Sequence, residues 1–321
     1  MNPERPSGGH PLALDALIIG AGPAGLTAGM YLARYRRRVR IVHDGSSRAL
    51  WGPRSRNVPG FPDGIVGSDL IARMSEHATR YGAAVAGGRV LEITRRENGG
   101  GFRARLASGA TVDARGVILA TGVDTHLAKL DSGDHEAAVR EGVLRYCPIC
   151  DGYEHSREQI AVLGSDLHGA AEAMFLRQYS NDVTLIPKWQ VALTDVQRAE
   201  LGASKVDVLE GRILRLDATP EAMFVTLEGE AAPRRFDILY PAFGSTPRSE
   251  LAAMLGPLTD PTGCLPFNAY SDGLLPGVYA AGDVVAGLDQ ISVAVGQGAM
   301  AATRLHNWLR EQEGHVMGDQ K

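Results

Sequence analysis

A short apolar run that enters a glycine-spaced turn and then a helix leaves a chain few ways to fold, and this arrangement opens the sequence. Ala16-Leu17-Ile18-Ile19 has the composition of a parallel strand buried on both faces. Gly20-Ala21-Gly22-Pro23-Ala24-Gly25 follows, after which Leu26, Met30, Leu32 and Ala33 recur at helical spacing. Val39-Arg40-Ile41-Val42 reads as the second strand, with Asp44 at its end, about 20 residues beyond the glycines. Each residue type has a physical task. Gly20 permits the tight turn, Gly22 lets the backbone approach a pyrophosphate, and Gly25 lets the helix pack close to the strand. The helix N-terminus offers free N–H groups to phosphates, and Asp44 is placed to accept hydrogen bonds from a ribose. This is a dinucleotide-binding unit in its complete structural context.

The layout recurs. Ile160-Ala161-Val162-Leu163 is another apolar strand, followed by Gly164-Ser165-Asp166-Leu167-His168-Gly169, a helical segment with Met174, Phe175 and Leu176, and the strand Val183-Thr184-Leu185-Ile186. Both units close alike, on Gly116-Val117-Ile118-Leu119-Ala120-Thr121-Gly122 and on Asp237-Ile238-Leu239-Tyr240-Pro241-Ala242-Phe243-Gly244. One module is duplicated. The C-terminal third adds Tyr279-Ala280-Ala281-Gly282-Asp283, a strand that can bring a carboxylate to the same nucleotide, and a helical pattern from Gln297 to Leu309 that needs the first unit as its partner. The expected fold is therefore α/β, two doubly wound Rossmann-like domains, the second inserted into the first. The first covers 12–124 and 246–310, the second 125–245, with 1–11 as a flexible extension.

Composition narrows the function. Thirty-three Lys and Arg against 37 Asp and Glu give a net charge of −4, without the basic excess that nucleic acid demands. The basic run Arg34-Tyr35-Arg36-Arg37-Arg38 reads as the solvated C-terminal end of a helix. No window has the roughly 18 apolar residues of a membrane span, and the start lacks the apolar core of a secretory signal. Three Cys cannot form a disulfide scaffold in a chain of 321 residues, so a cytoplasmic location is expected.

The most chemical stretch is Arg145-Tyr146-Cys147-Pro148-Ile149-Cys150-Asp151-Gly152. A CxxC beside a βαβ unit reads as a redox pair, because two-residue spacing allows a disulfide within one turn and lowers thiol pKa values. Asp151 stands next to the second Cys, where it can relay a proton. Structural zinc is the rival. It needs four ligands, whereas Cys264 stands alone and His135, His155 and His168 show no paired spacing, so no metal is expected. A chance pair of buried Cys is the other alternative. A dinucleotide unit and a CxxC belong together if the nucleotide is a flavin, which exchanges electrons with a thiolate.

These motifs place a resemblance. GAGPAG at 20–25, NVPGFPDGI at 57–65, ATG at 120–122, CPICDG at 147–152, AGDV at 281–284 and DQISVAVGQG at 289–298 occur in the order found in the bacterial low-molecular-weight thioredoxin reductases, which the chain resembles over about residues 15–310. The resemblance implies FAD held by Gly20, Gly22, Pro23, Ala24, Gly25, Asp44, Asn57, Thr121, Gly122, Gly282, Asp283, Gln290 and Ile291. It implies that Cys150 faces the flavin, that Cys147 attacks the partner disulfide, and that Asp151 is the acid–base residue. It also implies a homodimer, with hinges near 122–126 and 244–248 about which the inserted domain rotates.

The second nucleotide site departs from that family, which has GxGxxA and a basic HRR cluster for the NADPH 2′-phosphate. Here the second Gly is Asp166, and the cluster reads Ile186-Pro187-Lys188-Trp189-Gln190. Like charges at about 4 Å cost ~1–4 kcal/mol at a wet surface. Each lost charge-assisted bond costs ~1.5–3 kcal/mol more, and one Lys does not replace an Arg pair. NADPH is therefore a possible cofactor with a degraded site. The leading expectation is an FAD-dependent thiol–disulfide oxidoreductase acting on a thioredoxin-like protein or a small dithiol or disulfide. Ferredoxin or oxygen is the possible second redox partner. The alternatives are an oxygen-coupled dithiol oxidase forming a disulfide and hydrogen peroxide, and a non-enzymatic flavin redox sensor.

Overall fold

The computed structural model describes residues 14–97, 100–164, 167–187, 193–209, 211–256 and 258–315. The expected extension over 1–11, and the altered positions Asp166, Lys188, Trp189 and Gln190, lie outside the described residues. In chain order, β1 (Leu14–Ile19), α1 (Pro23–Arg34) and β2 (Val39–His43) precede a 3-10 turn at Arg48–Trp51, α2 (Gly67–Arg80), β3 (Ala84–Gly87), β4 (Val90–Arg95), β5 (Phe102–Leu106) and β6 (Thr111–Leu119). Next come β7 (Val123–Thr125), α3 (His135–Glu141), the one-turn α4 (Pro148–Asp151), β8 (Gln159–Leu163), α5 (Leu167–Leu176), β9 (Asp182–Ile186) and α6 (Asp195–Ala203). They are followed by β10 (Asp207–Val208), β11 (Ile213–Ala218), β12 (Met223–Leu227), β13 (Arg234–Phe236) and β14 (Ile238–Pro241). The chain ends on β15 (Ser245–Pro247), α7 (Glu250–Ala253), β16 (Val278–Ala280) and α8 (Ile291–Gln312).

Two compact units result. One holds the chain up to Ala49, Leu70–Val123 and everything from Pro247 onward; the other holds Leu50–Asp69 and Asp124–Thr246. The sequence reading places Leu50–Asp69 in the first domain. The structure groups it with the second unit, where the Asn57 side-chain amide donates to the Ile149 carbonyl at 3.2 Å and Arg56 pairs with Glu154 at 3.7 Å. Contacts of that kind join residues far apart in the chain and leave no local signal.

The first unit is built on a seven-stranded sheet ordered β3-β2-β1-β6-β5-β4, with β16 also pairing β6. The β1, β2, β3, β6 and β16 pairings are parallel; β4, β5 and the first half of β6 form an antiparallel meander. β6 is long enough to serve both, with Thr111–Ala114 on β5 and Val117–Leu119 on β16. The second unit has a parallel sheet ordered β10-β9-β8-β14 and an antiparallel sheet of β11, β12 and β13. The order β3-β2-β1-β6 thus recurs as β10-β9-β8-β14, the duplication read from the sequence.

Helix α8 starts six residues before the expected Gln297, because Ile291, Val293, Val295 and Gly296 are weak helix formers that hide its first turns. It lies on α1, where a Cβ added to Gly298 would stand 2.3 Å from the Ala24 carbonyl oxygen. At its far end Glu313 pairs with Arg37 at 2.6 Å and also with Arg115, which ties down the C-terminal end of the helix. Among the described residues no helix is long and apolar enough to cross a membrane. The close approach of α1 and α8 is testable. Gly298→Ala should cost about 1–3 kcal/mol in urea unfolding, the usual cost of overpacking. Gly296→Ala lies on the same helix with nothing near its Cβ, and should instead stabilise by up to about 1 kcal/mol through helix propensity.

Candidate active site

In the first unit the glycines divide by what they meet. Gly20 has a φ of +111°, and a Cβ there would stand 2.0 Å from the Ala120 carbonyl oxygen; one on Gly25 would stand 2.0 Å from the Gly20 oxygen. Packing alone demands these two. A Cβ on Gly22 would meet only the Ser47 hydroxyl, at 3.3 Å, so the missing side chain leaves open space in front of the backbone. Gly22 is the N-cap of α1, no side chain caps that helix, and Pro23 fills its first position. The first-turn N–H groups are left for a ligand.

Asp44 follows β2. Its carboxylate accepts from the Ser46 amide at 3.1 Å and the Ser46 hydroxyl at 2.5 Å, and Arg248 Nη1 donates to that hydroxyl at 2.5 Å. Partial burial pushes the Asp44 carboxyl up, but the Ser46 bonds and the Arg248 charge outweigh it and hold it below the usual carboxylate range. The end of β6 is pinned to the same segment: Thr121 Oγ1 donates to the Arg248 carbonyl at 2.6 Å, and the Arg248 amide donates to Gly122 at 2.9 Å. Gly282 needs its φ of +83°, and its amide donates to the buried Gln297 Oε1 at 2.8 Å. That bond aims the next residue, Asp283. Arg48 Nη1 stands 3.6 Å from Asp283 and 3.2 Å from Asp289. Burial pushes the Asp283 carboxyl up against the pull of Arg48. Burial and the neighbouring Asp283 push Asp289 up to about 6. Gln290 and Ile291 begin α8. An open glycine cradle, an uncapped helix and a partly buried carboxylate fit FAD. Of the expected flavin residues, all but Asn57 fall in this unit.

In the second unit Cys147 and Cys150 form a disulfide with Cα atoms 5.3 Å apart, on the turn of α4. Gly152 follows because a Cβ there would strike the Pro148 oxygen at 2.7 Å and the Tyr179 ring at 2.9 Å. Asp151 is only 6% exposed. Its Oδ1 accepts from the Tyr240 hydroxyl at 2.6 Å. Arg145 Nε lies 2.9 Å from its Oδ2, but no hydrogen bond forms from that nitrogen, so the pair is held by charge. Burial pushes the Asp151 carboxyl up, and Arg145, Tyr240 and His155 pull it only part of the way back. Burial and the adjacent carboxylate push the Tyr240 phenol far up, so it stays protonated and remains a donor.

Arg145 and Tyr240 were not singled out from the sequence. Each carried a weak signal. Arg145 stands two residues before Cys147, and Tyr240 puts a polar tip into the buried strand Ile238–Pro241, where a hydroxyl needs a partner. Arg48, Arg248 and Gln297 are further residues that only the fold reveals. The histidines are otherwise engaged: His135 with the Tyr146 hydroxyl at 2.8 Å, His155 with Glu158 at 2.7 Å, His168 with Glu172 at 3.1 Å. Cys264 is half-buried in the first unit and its amide donates to Asp260. Among the described residues no three His, Cys, Asp or Glu side chains gather as metal ligands.

The second glycine turn keeps its packing residues. A Cβ on Gly164 or on Gly169 would stand 2.9 Å from the other's Cα. The position corresponding to Gly22 is Asp166, outside the described residues.

Known proteins resemble this chain over nearly its whole length. Residues 14–298 match the pyridine nucleotide-disulphide oxidoreductase family. A thioredoxin reductase of Mycolicibacterium smegmatis is 30% identical over 310 residues, covering 93% of this chain and 97% of that protein. The crystal structure of a protein named HlmI superimposes with a TM-score of 0.86 at 30% identity, over 95% of each chain. Thioredoxin reductase from Streptococcus pyogenes superimposes at 0.84 with 26% identity, over 93% of this chain and 99% of the other.

The support of Asp283 by Gln297 gives a test. Gln297→Leu strands the buried Gly282 amide, a loss of ~1–3 kcal/mol. FAD retention, followed by flavin fluorescence on dilution, should weaken by about tenfold or more.

Proposed function

The chain belongs to the pyridine nucleotide-disulphide oxidoreductase family, and from that premise we propose that it is a thioredoxin-reductase-like enzyme whose flavin exchanges electrons with a partner chiefly through Cys147 and Cys150, with NADPH a poor donor. The family assignment makes it an FAD-dependent disulfide oxidoreductase. Bound FAD supplies a two-electron carrier. Gly20, Gly22, Pro23, Ala24, Gly25, Asp44, Thr121, Gly122, Gly282, Asp283, Gln290 and Ile291 would hold it in the first unit, and Asn57 on the segment that groups with the second.

The rest of the chemistry is the chain's own. Once reduced, Cys147 attacks the partner disulfide as the thiolate, one partner sulfur leaves, and Cys150 then displaces the second by attacking Cys147. The internal disulfide is restored and the partner leaves as two thiols. Asp151 takes up and returns the proton of the attacking thiol. The partner is a thioredoxin-like protein or a small disulfide, met in the cytoplasm by a homodimer.

The division of glycine roles supports the reading of NADPH as a poor donor. Gly164 and Gly169 keep their packing, but the residue that must yield to a pyrophosphate is an aspartate, and the basic pair is absent. No step is therefore routed through NADPH. A reduced ferredoxin-type protein would be the donor. The same loss favours a second reading, in which a small dithiol reduces the flavin through CxxC and oxygen reoxidises it, giving a disulfide and hydrogen peroxide.

Anaerobic titration of the holoprotein tests this. A slight excess of NADPH should leave the flavin absorbance intact, whereas dithiothreitol bleaches it and Cys150→Ser abolishes that bleaching. Rapid bleaching by NADPH would reverse the proposal about the donor. Dithiol reduction of Cys150→Ser at the normal rate would remove Cys150 from its role.

A further inference from the structure

The Asp151 carboxylate is gripped from both sides by residues that the exchange chemistry above leaves unused. The segment before the disulfide is stitched onto β14: the Arg145 amide donates to the Leu239 carbonyl at 3.0 Å, and the Leu239 amide to Val143 at 2.8 Å. This pairing puts Arg145 beside Tyr240, the next residue of β14. Asp151 enters from the other side, one residue past Cys150. Its two oxygens then meet different partners, Oδ1 the Tyr240 hydroxyl and Oδ2 the Arg145 guanidinium. Among the described residues, the other groups whose charge acts on it, Glu154 and His155, come from the turn after α4, and the Tyr179 ring packs at the neighbouring Gly152. Glu154 pairs with Arg56. His155 lies edge-on to the Tyr240 ring, with centroids 6.4 Å apart, and bonds Glu158.

We propose that Tyr240 and Arg145 are positioning residues for thiol–disulfide exchange, which hold Asp151 charged and aimed so that it can take the proton of the attacking Cys147 thiol. The inference rests on the role given to Asp151 above. In the step concerned, the Cys147 S–H bond breaks and its proton passes to Asp151. The sulfur attacks the partner disulfide, and one partner sulfur leaves with the electron pair and takes the proton back from Asp151. Cys150 then attacks Cys147 as its own S–H bond breaks, and the second partner sulfur leaves with that electron pair and the Cys150 proton. Two enzyme thiols are oxidised and one partner disulfide is reduced.

The physics is a balance. A carboxylate this buried is unfavourable when charged, and lone burial would leave it protonated and unable to accept. Arg145 supplies charge and Tyr240 a hydrogen bond to the charged form, and both favour ionisation. Tyr240 cannot become a competing acid or base, because burial beside a carboxylate keeps its proton in place. Removing either partner should therefore move the titration of Asp151 upward.

The measurement is single-turnover exchange of the chemically reduced holoprotein with dithionitrobenzoate, followed by nitrothiolate colour across the mildly acidic to mildly alkaline range. Wild type should show an acidic limb that Asp151→Asn lacks. Tyr240→Phe, which keeps the ring packed, should move that limb to higher pH. Its rate should fall roughly tenfold to a hundredfold on the acidic side, the equivalent of one charge-assisted hydrogen bond, and converge on wild type in alkali. Arg145→Met should move the limb in the same direction and Arg145→Lys should restore most of it. Tyr240→Phe added to Asp151→Asn should cost nothing further. A limb that stays in place, or a rate lowered by the same factor at every pH, overturns the inference and leaves Asp151 in its role. A wild-type profile that Asp151→Asn does not alter overturns both.

Discussion

Backbone touches backbone where each sheet hands the chain to its first helix, and much else follows from that contact. In the first unit a Cβ at Gly25 would lie 2.0 Å from the Gly20 oxygen, and in the second one at Gly169 would lie 2.9 Å from the Gly164 Cα. At such distances the helix reaches its strand only if those positions have no side chain. These glycines are thus a condition of the fold, and both copies have them. The middle position is under no such demand. A Cβ on Gly22 would meet only the Ser47 hydroxyl, at 3.3 Å, and the sequence has an aspartate at the counterpart position of the second copy. One turn of sequence therefore separates two kinds of glycine, one demanded by packing and one that packing leaves open.

The units also share an electrostatic device. Each sets an arginine against a carboxylate with little exposure, Arg48 against Asp283 and Arg145 against Asp151. Burial raises both carboxyls, and each arginine opposes the rise without cancelling it. Such groups change their charge with small changes in surroundings. In the first unit Arg48 also faces Asp289, so one cation serves two carboxylates. In the second, Arg145 is joined by a neutral hydroxyl donor. The first arrangement suits holding a polar cofactor, and the second suits moving a proton.

Features written into consecutive residues were legible in the sequence. The glycine turns, the apolar parallel strands, the CxxC with its aspartate and the Gly282-Asp283 pair were read where the structure has them, because strand, turn and helix signals are local. What stayed hidden depends on pairing across the chain. Tyr240 lies 89 residues from Asp151, and only the β14 pairing with the segment before the disulfide brings them together. Gln297 looked like one more residue of a helical pattern until its buried side chain met the Gly282 amide. Leu50–Asp69 carries a family-like run but nothing local to say which unit it joins. The first turns of α8 were missed because β-branched residues and Gly296 dilute the helical pattern.

The second unit carries a glycine turn and also mounts the disulfide segment. Its sheet β10-β9-β8-β14 ends in the strand that carries Tyr240, and β14 also anchors the segment leading to Cys147. The glycine turn lies between β8 and α5, and Gly164 packs against Gly169 and Ala242 rather than against the disulfide segment. The Arg145–Leu239 pairing and the contacts of Asp151 are made by residues outside that turn. The mount of the disulfide segment and the glycine turn are thus separate parts of one unit. Loss of β14 would take Tyr240 with it and leave Asp151 buried with only half its support.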